Sequence, residues 1–202
     1  MTDLAAQFGP IDIYLFDQLL RGRLSPPMRV LDAGCGSGRN VYFLMSAGFD
    51  VFAVDSAHEA VAATRALASR LAPALPDANF RVEPVEALTF DDHTVDAIVS
   101  IAMLHFARDD AHFEAMLRSM WRVLKPGGLF FCRLASNIGM ESRMTPTTPG
   151  RFRMPDGSER YLVNEAALLG WTRRLGGQLL DPLKTTVVQD QRCMTTWVMR
   201  KT

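Results

Sequence analysis

The chain has 202 residues, 48% hydrophobic and 22% charged, with 22 Lys and Arg balanced by 22 Asp and Glu. That length and composition suit one globular α/β domain with a substantial core, and a net charge of zero offers no global field for nucleic acid or an anionic membrane. The apolar runs are too short to span a bilayer, and the opening stretch, with Asp3, Asp12 and Asp17 and no basic start, does not read as a signal peptide. Cys35, Cys132 and Cys193 are odd in number and scattered. They read as buried reduced thiols of a cytoplasmic protein, and a metal site needs more ligands than they offer.

Phe8 to Arg23 is one helical pattern, with Ile11, Leu15, Phe16 and Leu19 near helix spacing and Tyr14 adding aromatic area. It is either a helix packed on a sheet or a cap over a substrate. Ser25-Pro26-Pro27 ends it and forces extended backbone. An apolar strand follows and runs into V-L-D-A-G-C-G-S-G-R-N, residues 30–40, with glycines at 34, 36 and 38. Strand, glycine loop and helix together make a nucleotide-type cofactor site, because glycine lets a ligand approach the main chain. The dinucleotide spacing G-x-G-x-x-G would need a glycine where Arg39 stands. Asp32 at the strand end repels a pyrophosphate and favours a ligand carrying a cation. A tight turn without ligand and a variant NAD loop are the alternatives.

D-A-G-C-G-S-G resembles motif I of the class I S-adenosylmethionine-dependent methyltransferases, and the resemblance extends from about Arg29 to Leu134. It implies S-adenosylmethionine as cofactor, with S-adenosylhomocysteine as its product. Cofactor contacts are then expected from Asp32, Gly34, Cys35, Gly36 and Asn40.

Asn40 to Ala47 reads as a helix closed by Gly48, and Phe49 to Asp55 as a buried strand ending in an acid. Asp55 can accept hydrogen bonds from both ribose hydroxyls or can serve the next helix. Ser56 is a further expected cofactor contact, and with Glu59 it forms a capping-box pattern for a helix to Leu71. Asn79 to Glu83 is a third strand. In the resembling families the next stretch holds the adenine, often with an Asp; here Asp is absent, Glu86 is the nearest carboxylate, and the Ala87 N–H is a candidate donor.

Asp91 to Thr94 is a turn, which makes His93 an exposed residue. Val95 to Ile101 is the fourth strand, with Ile101 at its cofactor end. His105 and Phe106 leave that end, where ligands of open α/β sheets sit. The Asn/Asp-Pro-Pro-aromatic motif of enzymes that methylate base amines is missing here. His105 matches a histidine common in small-molecule methyltransferases, as a general base or a polar wall residue. Phe113, Met116, Leu117, Met120 and Leu124 form the core face of a helix, joined by Trp121. L-K-P-G-G, residues 124–128, is a second point of resemblance and turns into a fifth strand, Leu129 to Leu134.

Ala135 to Tyr161 has no clear period and is rich in Pro, Thr, Met and Arg. It is a surface loop or a substrate lid. As a lid, with Arg133 beside it and Arg153 within it, it implies an acidic or oxyanionic acceptor. Asn164 then caps a helix, and Leu179 to Val188 with Cys193 to Arg200 reads as a closing hairpin.

The resemblance implies a single Rossmann-like domain over residues 1–202, with a seven-stranded, mostly parallel sheet and a C-terminal antiparallel hairpin. Residues 1–24 form its cap helix and 135–161 its loop insertion. It implies methyl transfer to a nucleophile on a small molecule. Tyr14, His105, Phe106, Arg133 and Arg153 are the candidate residues to hold that molecule, and the zero net charge with the missing base-amine motif gives no strong nucleic-acid signal and no membrane partner. The G-C-G-S-G-R-N string is nearest the tellurite-resistance and thiol-methyltransferase branch. An RNA or protein methyltransferase working with a partner, and a non-catalytic S-adenosylmethionine-binding protein, are the rival readings.

Overall fold

The computed structural model describes residues 3–202; residues 1 and 2, part of the expected cap and domain, lie outside the described residues. The N-terminal helical pattern is divided into α1 (Leu4–Phe8) and α2 (Ile13–Leu20). Gly9, at φ +62°, ends the first helix in a region that favours glycine, and Pro10 supplies no N–H to continue it. Asp12 opens the second by accepting from the Tyr14 N–H at 2.9 Å.

Alternation fixes which way each strand faces. In β1 (Arg29–Ala33), Val30 enters one apolar layer while Leu31 and Ala33 enter the other. In β2 (Asp50–Asp55), Val51 and Ala53 share the first layer and Phe52 and Val54 the second. A sheet apolar on both faces has to be covered on both. Leu15 of α2, Leu44 and Met45 of α3 (Tyr42–Ser46), and Val61 and Leu67 of α4 (His58–Leu71) cover one side. Next in sequence come β3 (Phe80–Val82) and β4 (Val95–Ile101), two further strands, and then α5 (Asp110–Val123), which covers the other side with Phe113, Met116, Leu117 and Met120, buried as the helical spacing predicts.

The remaining elements are β5 (Leu124–Ala135), β6 (Thr145–Thr148), β7 (Arg151–Arg153), β8 (Glu159–Tyr161), α6 (Glu165–Arg174), β9 (Gly177–Leu179), β10 (Lys184–Val188) and β11 (Arg192–Lys201). The main sheet runs β10-β11-β5-β4-β1-β2-β3, with β9 also on β11. β1 to β5 are parallel, and β11 is antiparallel to β5, β9 and β10. The expected α/β class and closing hairpin are present, with eight strands in place of seven. The stretch expected as one strand from Leu179 is split, because Asp181 is drawn to Arg23 (Nη1–Oδ2 2.7 Å) and Pro182 cannot donate to a ladder.

The span 135–161 is a small sheet of its own, β6-β7-β8, where a structureless loop was expected. Met140, Met144, Met154, Leu162 and Cys193 form a separate apolar cluster beneath it. Tyr161 anchors it, stacked on Phe113 with centroids 4.8 Å apart and donating its hydroxyl to Asp110 Oδ1 at 2.7 Å.

Candidate active site

The parallel strands reverse order between β1 and β4, and a crevice opens beyond their C-terminal ends, where ligands of open α/β sheets bind. A cavity of about 510 Å³ lies there, walled by the glycine loop, Asp55 and Ser56 after β2, Val85 and Glu86 after β3, and Ala102, Met103 and Phe106 after β4. Arg108, His112 and Met116 complete it from the α5 side. Gly34, at φ +85°, sits so close to Met103 that an added Cβ would strike that side chain. Gly36, at φ +52°, has no atom within 4 Å of where a Cβ would stand, so the main chain is open to a ligand.

Below the loop lies Asp32, buried to 1% exposure, with neither carboxylate oxygen hydrogen-bonded. Burial, with Asp55 nearby, pushes its pKa up to about 7 against the pull of Arg39. An orphaned buried acid is paired by a cation. Asp55 Oδ2 accepts from the Gly36 N–H (3.0 Å) and Oδ1 from the Ala57 N–H (2.9 Å), so the carboxylate ties loop to helix. Each oxygen keeps a lone pair for a ribose hydroxyl. The helix start is therefore served by Asp55. The expected Ser56–Glu59 capping box is absent, since the N-cap is Ala57, and Ser56 faces the cavity. Glu86 Oε1 stands 3.0 Å from His112 Nε2, in ion-pair range but poorly aligned for a hydrogen bond.

A second cavity of about 380 Å³ shares Ala102 with the first. Ala102 holds a left-handed φ of +58°, uncommon for a residue with a Cβ, and donates its N–H to the Arg133 carbonyl at 2.8 Å. Four arginines line this cavity: Arg39 from the glycine loop, Arg133 from β5, Arg160 from β8 and Arg192 from β11. His105 joins them, with Met154, Asp156 and Ser158 at the β7–β8 turn. Burial, and secondarily Arg160, draw the His105 pKa down to about 4.

Of the residues singled out from sequence, Gly34, Gly36, Asp55, Ser56 and Glu86 face the first cavity. Asp32, Cys35, Asn40 and Ile101 are buried behind its walls. Burial, reinforced by Asp32, pushes the Cys35 thiol up to about 12, and Asn40 accepts from the Asp12 N–H at 3.2 Å. The Ala87 N–H is taken by the Pro84 carbonyl (3.1 Å) within a short 3-10 turn, so it is not free for a ligand. His105 and Arg133 meet in the second cavity. Phe106 lies in the first, with the Arg160 guanidinium 5.0 Å from its ring centre. Tyr14 and Arg153 line neither: Tyr14 shares a 2.7 Å hydrogen bond with Thr186, and Arg153 is exposed on β7. Sequence reading passed over Met103, His112, Arg39 and Arg192, which converge only through the fold; Arg160 was visible only as one arginine of a loop.

The residues present fit S-adenosylmethionine. Asp32 lacks the donor that an α-ammonium provides, Asp55 has acceptor capacity for a ribose, and the open glycine loop admits the ligand to the main chain. An acidic floor in place of a pyrophosphate cradle separates this parallel sheet from the dinucleotide-binding ones. The protein belongs to the class I S-adenosylmethionine-dependent methyltransferases.

Comparison with known proteins agrees. Residues 30–128 match the family described as "Methyltransferase domain". A ubiquinone biosynthesis O-methyltransferase from Xanthomonas axonopodis pv. citri is 29% identical over 182 residues, covering 81% of this chain and 69% of that one. Matches to Xanthomonas oryzae enzymes of the same name span 64% of their length, so the chain corresponds to about two thirds of these relatives. Among solved structures, a methyltransferase from Methanosarcina mazei superposes with a TM-score of 0.72 at 22% identity, covering 91% of this chain and 96% of that one. The Burkholderia thailandensis 1,6-didemethyltoxoflavin-N1-methyltransferase, solved with bound 1,6-didemethyltoxoflavin and S-adenosylhomocysteine, gives 0.71 at 22%, covering 99% and 81%. At those identities the likeness is one of fold.

Among the described residues no helix is long and apolar enough to cross a membrane, and no group of three or more His, Cys, Asp or Glu is placed to hold a metal ion.

Proposed function

We propose that the protein moves a methyl group from S-adenosylmethionine to a nucleophile on a small anionic molecule seated in the second cavity. The observation that carries this reading is the meeting of the two cavities at Ala102, with four arginines and one carboxylate, Asp156, lining the second. Bound S-adenosylmethionine supplies a methyl carbon already activated by a positive sulfur. The protein's part is then alignment and exclusion of water. The relatives named as O-methyltransferases favour an oxygen nucleophile over the sulfur or metalloid acceptor of the thiol branch. In this reading the β7–β8 turn is the acceptor-side wall, Asp55 holds the ribose and Asp32 the α-ammonium. Three free, buried thiols accord with a reducing cytoplasm.

A panel of small acids and neutral analogues, scored by S-adenosylhomocysteine release, tests the proposal. Turnover confined to anionic acceptors is the expected result. Turnover only on neutral or polymeric acceptors, or failure to bind S-adenosylhomocysteine, would refute it.

A further inference from the structure

We propose that the acceptor is an acidic hydroxy compound that reacts as its anion, and that His105 serves it as a hydrogen-bond donor through Nε2–H instead of as a base. The proposal rests on the reading of the second cavity given above and adds which group carries the proton.

The geometry at His105 carries the inference. The buried Ala135 N–H donates to His105 Nδ1 at 3.3 Å. Nδ1 is therefore bare, and the one proton of the neutral ring sits on Nε2. Nε2 has no hydrogen-bond partner among the described residues, and the side chain lines the cavity. A base needs the reverse tautomer, with Nε2 bare and Nδ1 protonated. That would set two donors against each other and leave the buried Ala135 N–H without an acceptor, a loss comparable to a missing hydrogen bond. Taking up a substrate proton at Nε2 creates a cation in a wall that Arg160 already charges. The low pKa of His105 agrees, since burial and Arg160 both disfavour the charged ring.

The other charged groups facing His105 from the cavity walls are four arginines and one acid. No salt bridge joins Arg39, Arg160 or Arg192 to a carboxylate among the described residues. Arg133 is paired with Asp12 through Nη1 (3.2 Å), while its Nε is buried without a partner. Asp156, the one acid, is engaged by the backbone N–H and hydroxyl of Ser158 (2.9 and 2.6 Å). Arg160 and Arg192 also help to hold Asp156 ionised, yet four arginines against one acid leave the lining with an excess of cations. Such an excess in a half-enclosed site lowers the pKa of a bound acid, and no neutral base is placed there to accept its proton. The proton therefore leaves to solvent before or as the acid binds. The acceptor oxygen then forms its bond to the methyl carbon as the carbon–sulfur bond breaks, with that electron pair staying on sulfur. Negative oxygen and positive sulfur both become neutral, and no proton remains to be placed.

The test uses the full chain with S-adenosylhomocysteine bound, labelled with ¹⁵N-histidine. Long-range ¹H–¹⁵N spectra from pH 5 to 8 report the tautomer, with the His105 signals assigned by their loss in His105→Gln. A neutral Nε2–H ring that does not titrate between pH 6 and 8 is expected; an Nδ1–H tautomer or a midpoint in that range overturns the donor role. The second readout is 4-nitrophenol, whose anion is coloured. The bound probe should be the phenolate, held roughly tenfold more weakly by Arg160→Ala or Arg192→Ala, as for a lost charge-assisted hydrogen bond. Binding as neutral phenol, binding indifferent to both arginines, or no binding at all overturns the anion assignment. Failure of S-adenosylhomocysteine itself to bind would instead strike the methyltransferase reading.

Discussion

Asp32 carries a sign that can be measured. Its folded pKa lies near 7, above the ordinary value of 3.8, so the free folded protein binds more protons than the unfolded chain between those limits. Stability of the free protein then falls as pH rises through that window. Pairing with an ammonium requires the ionised acid, so cofactor affinity moves the other way and weakens as pH falls below about 7, by up to about tenfold per unit. Asp32→Asn should raise the melting temperature of the free protein at pH 8, flatten its pH dependence, and weaken S-adenosylhomocysteine roughly tenfold or more by calorimetry. A melting temperature at pH 8 that falls in the variant would show that Asp32 is paired in the free protein. Both Asp32 and Asp55 were legible from sequence, because each is an acid at the end of an apolar strand, the first running straight into the glycine loop and the second closing the next strand. Arg192 was not, since it reaches the cavity from a strand more than 150 residues beyond Arg39. Arg153 and Arg160 looked alike in sequence. Pairing separates them: Arg153 faces Glu159 across β7 and β8, and Arg160 faces Phe152, one position along, where side chains point to the opposite face.

At the scale of elements, long strands and helices with clean periods were read to within a few residues, and the failures have physical causes. The N-terminal pattern kept its apolar spacing across Gly9-Pro10, so periodicity alone carried the helix through a break. The β6–β8 sheet has strands of only 3 or 4 residues, too short to show an alternation, and it is held largely by contacts outside itself. Tyr161 is the main one. Loss of its hydroxyl in Tyr161→Phe removes a bond to a carboxylate and should lower stability by about 1–3 kcal/mol. Tyr161→Ala also removes the ring stacked on Phe113 and should release the hairpin, so that trypsin cuts after Arg151, Arg153 or Arg160 in the folded protein. S-adenosylhomocysteine affinity should hold, because no residue of β6–β8 lines the first cavity. Hairpin resistance to trypsin equal to wild type would show that the Met140–Met144–Met154 cluster suffices to hold it.

Across the whole molecule the zero net charge conceals a division. Acids, Asp32, Asp55 and Glu86, outnumber Arg108 in and behind the walls of one cavity, and four arginines outnumber Asp156 around the other, with Ala102 between them. That arrangement matches a cation and an anion before they react, and only one of them afterwards. In the proposed reaction the methylated acceptor leaves with no charge on the oxygen facing the arginines, whereas S-adenosylhomocysteine keeps the ammonium assigned to Asp32. The two products should therefore depart unequally. The methylated compound should inhibit at least about tenfold more weakly than its parent binds, and S-adenosylhomocysteine should be the inhibitor that accumulates. Equal inhibition by methylated and unmethylated acceptor in initial-rate measurements would contradict this. On the proposed reading, a protein so arranged would depend on whatever removes its spent cofactor, and its rate in the cell should follow the ratio of S-adenosylmethionine to S-adenosylhomocysteine more closely than it follows the supply of acceptor.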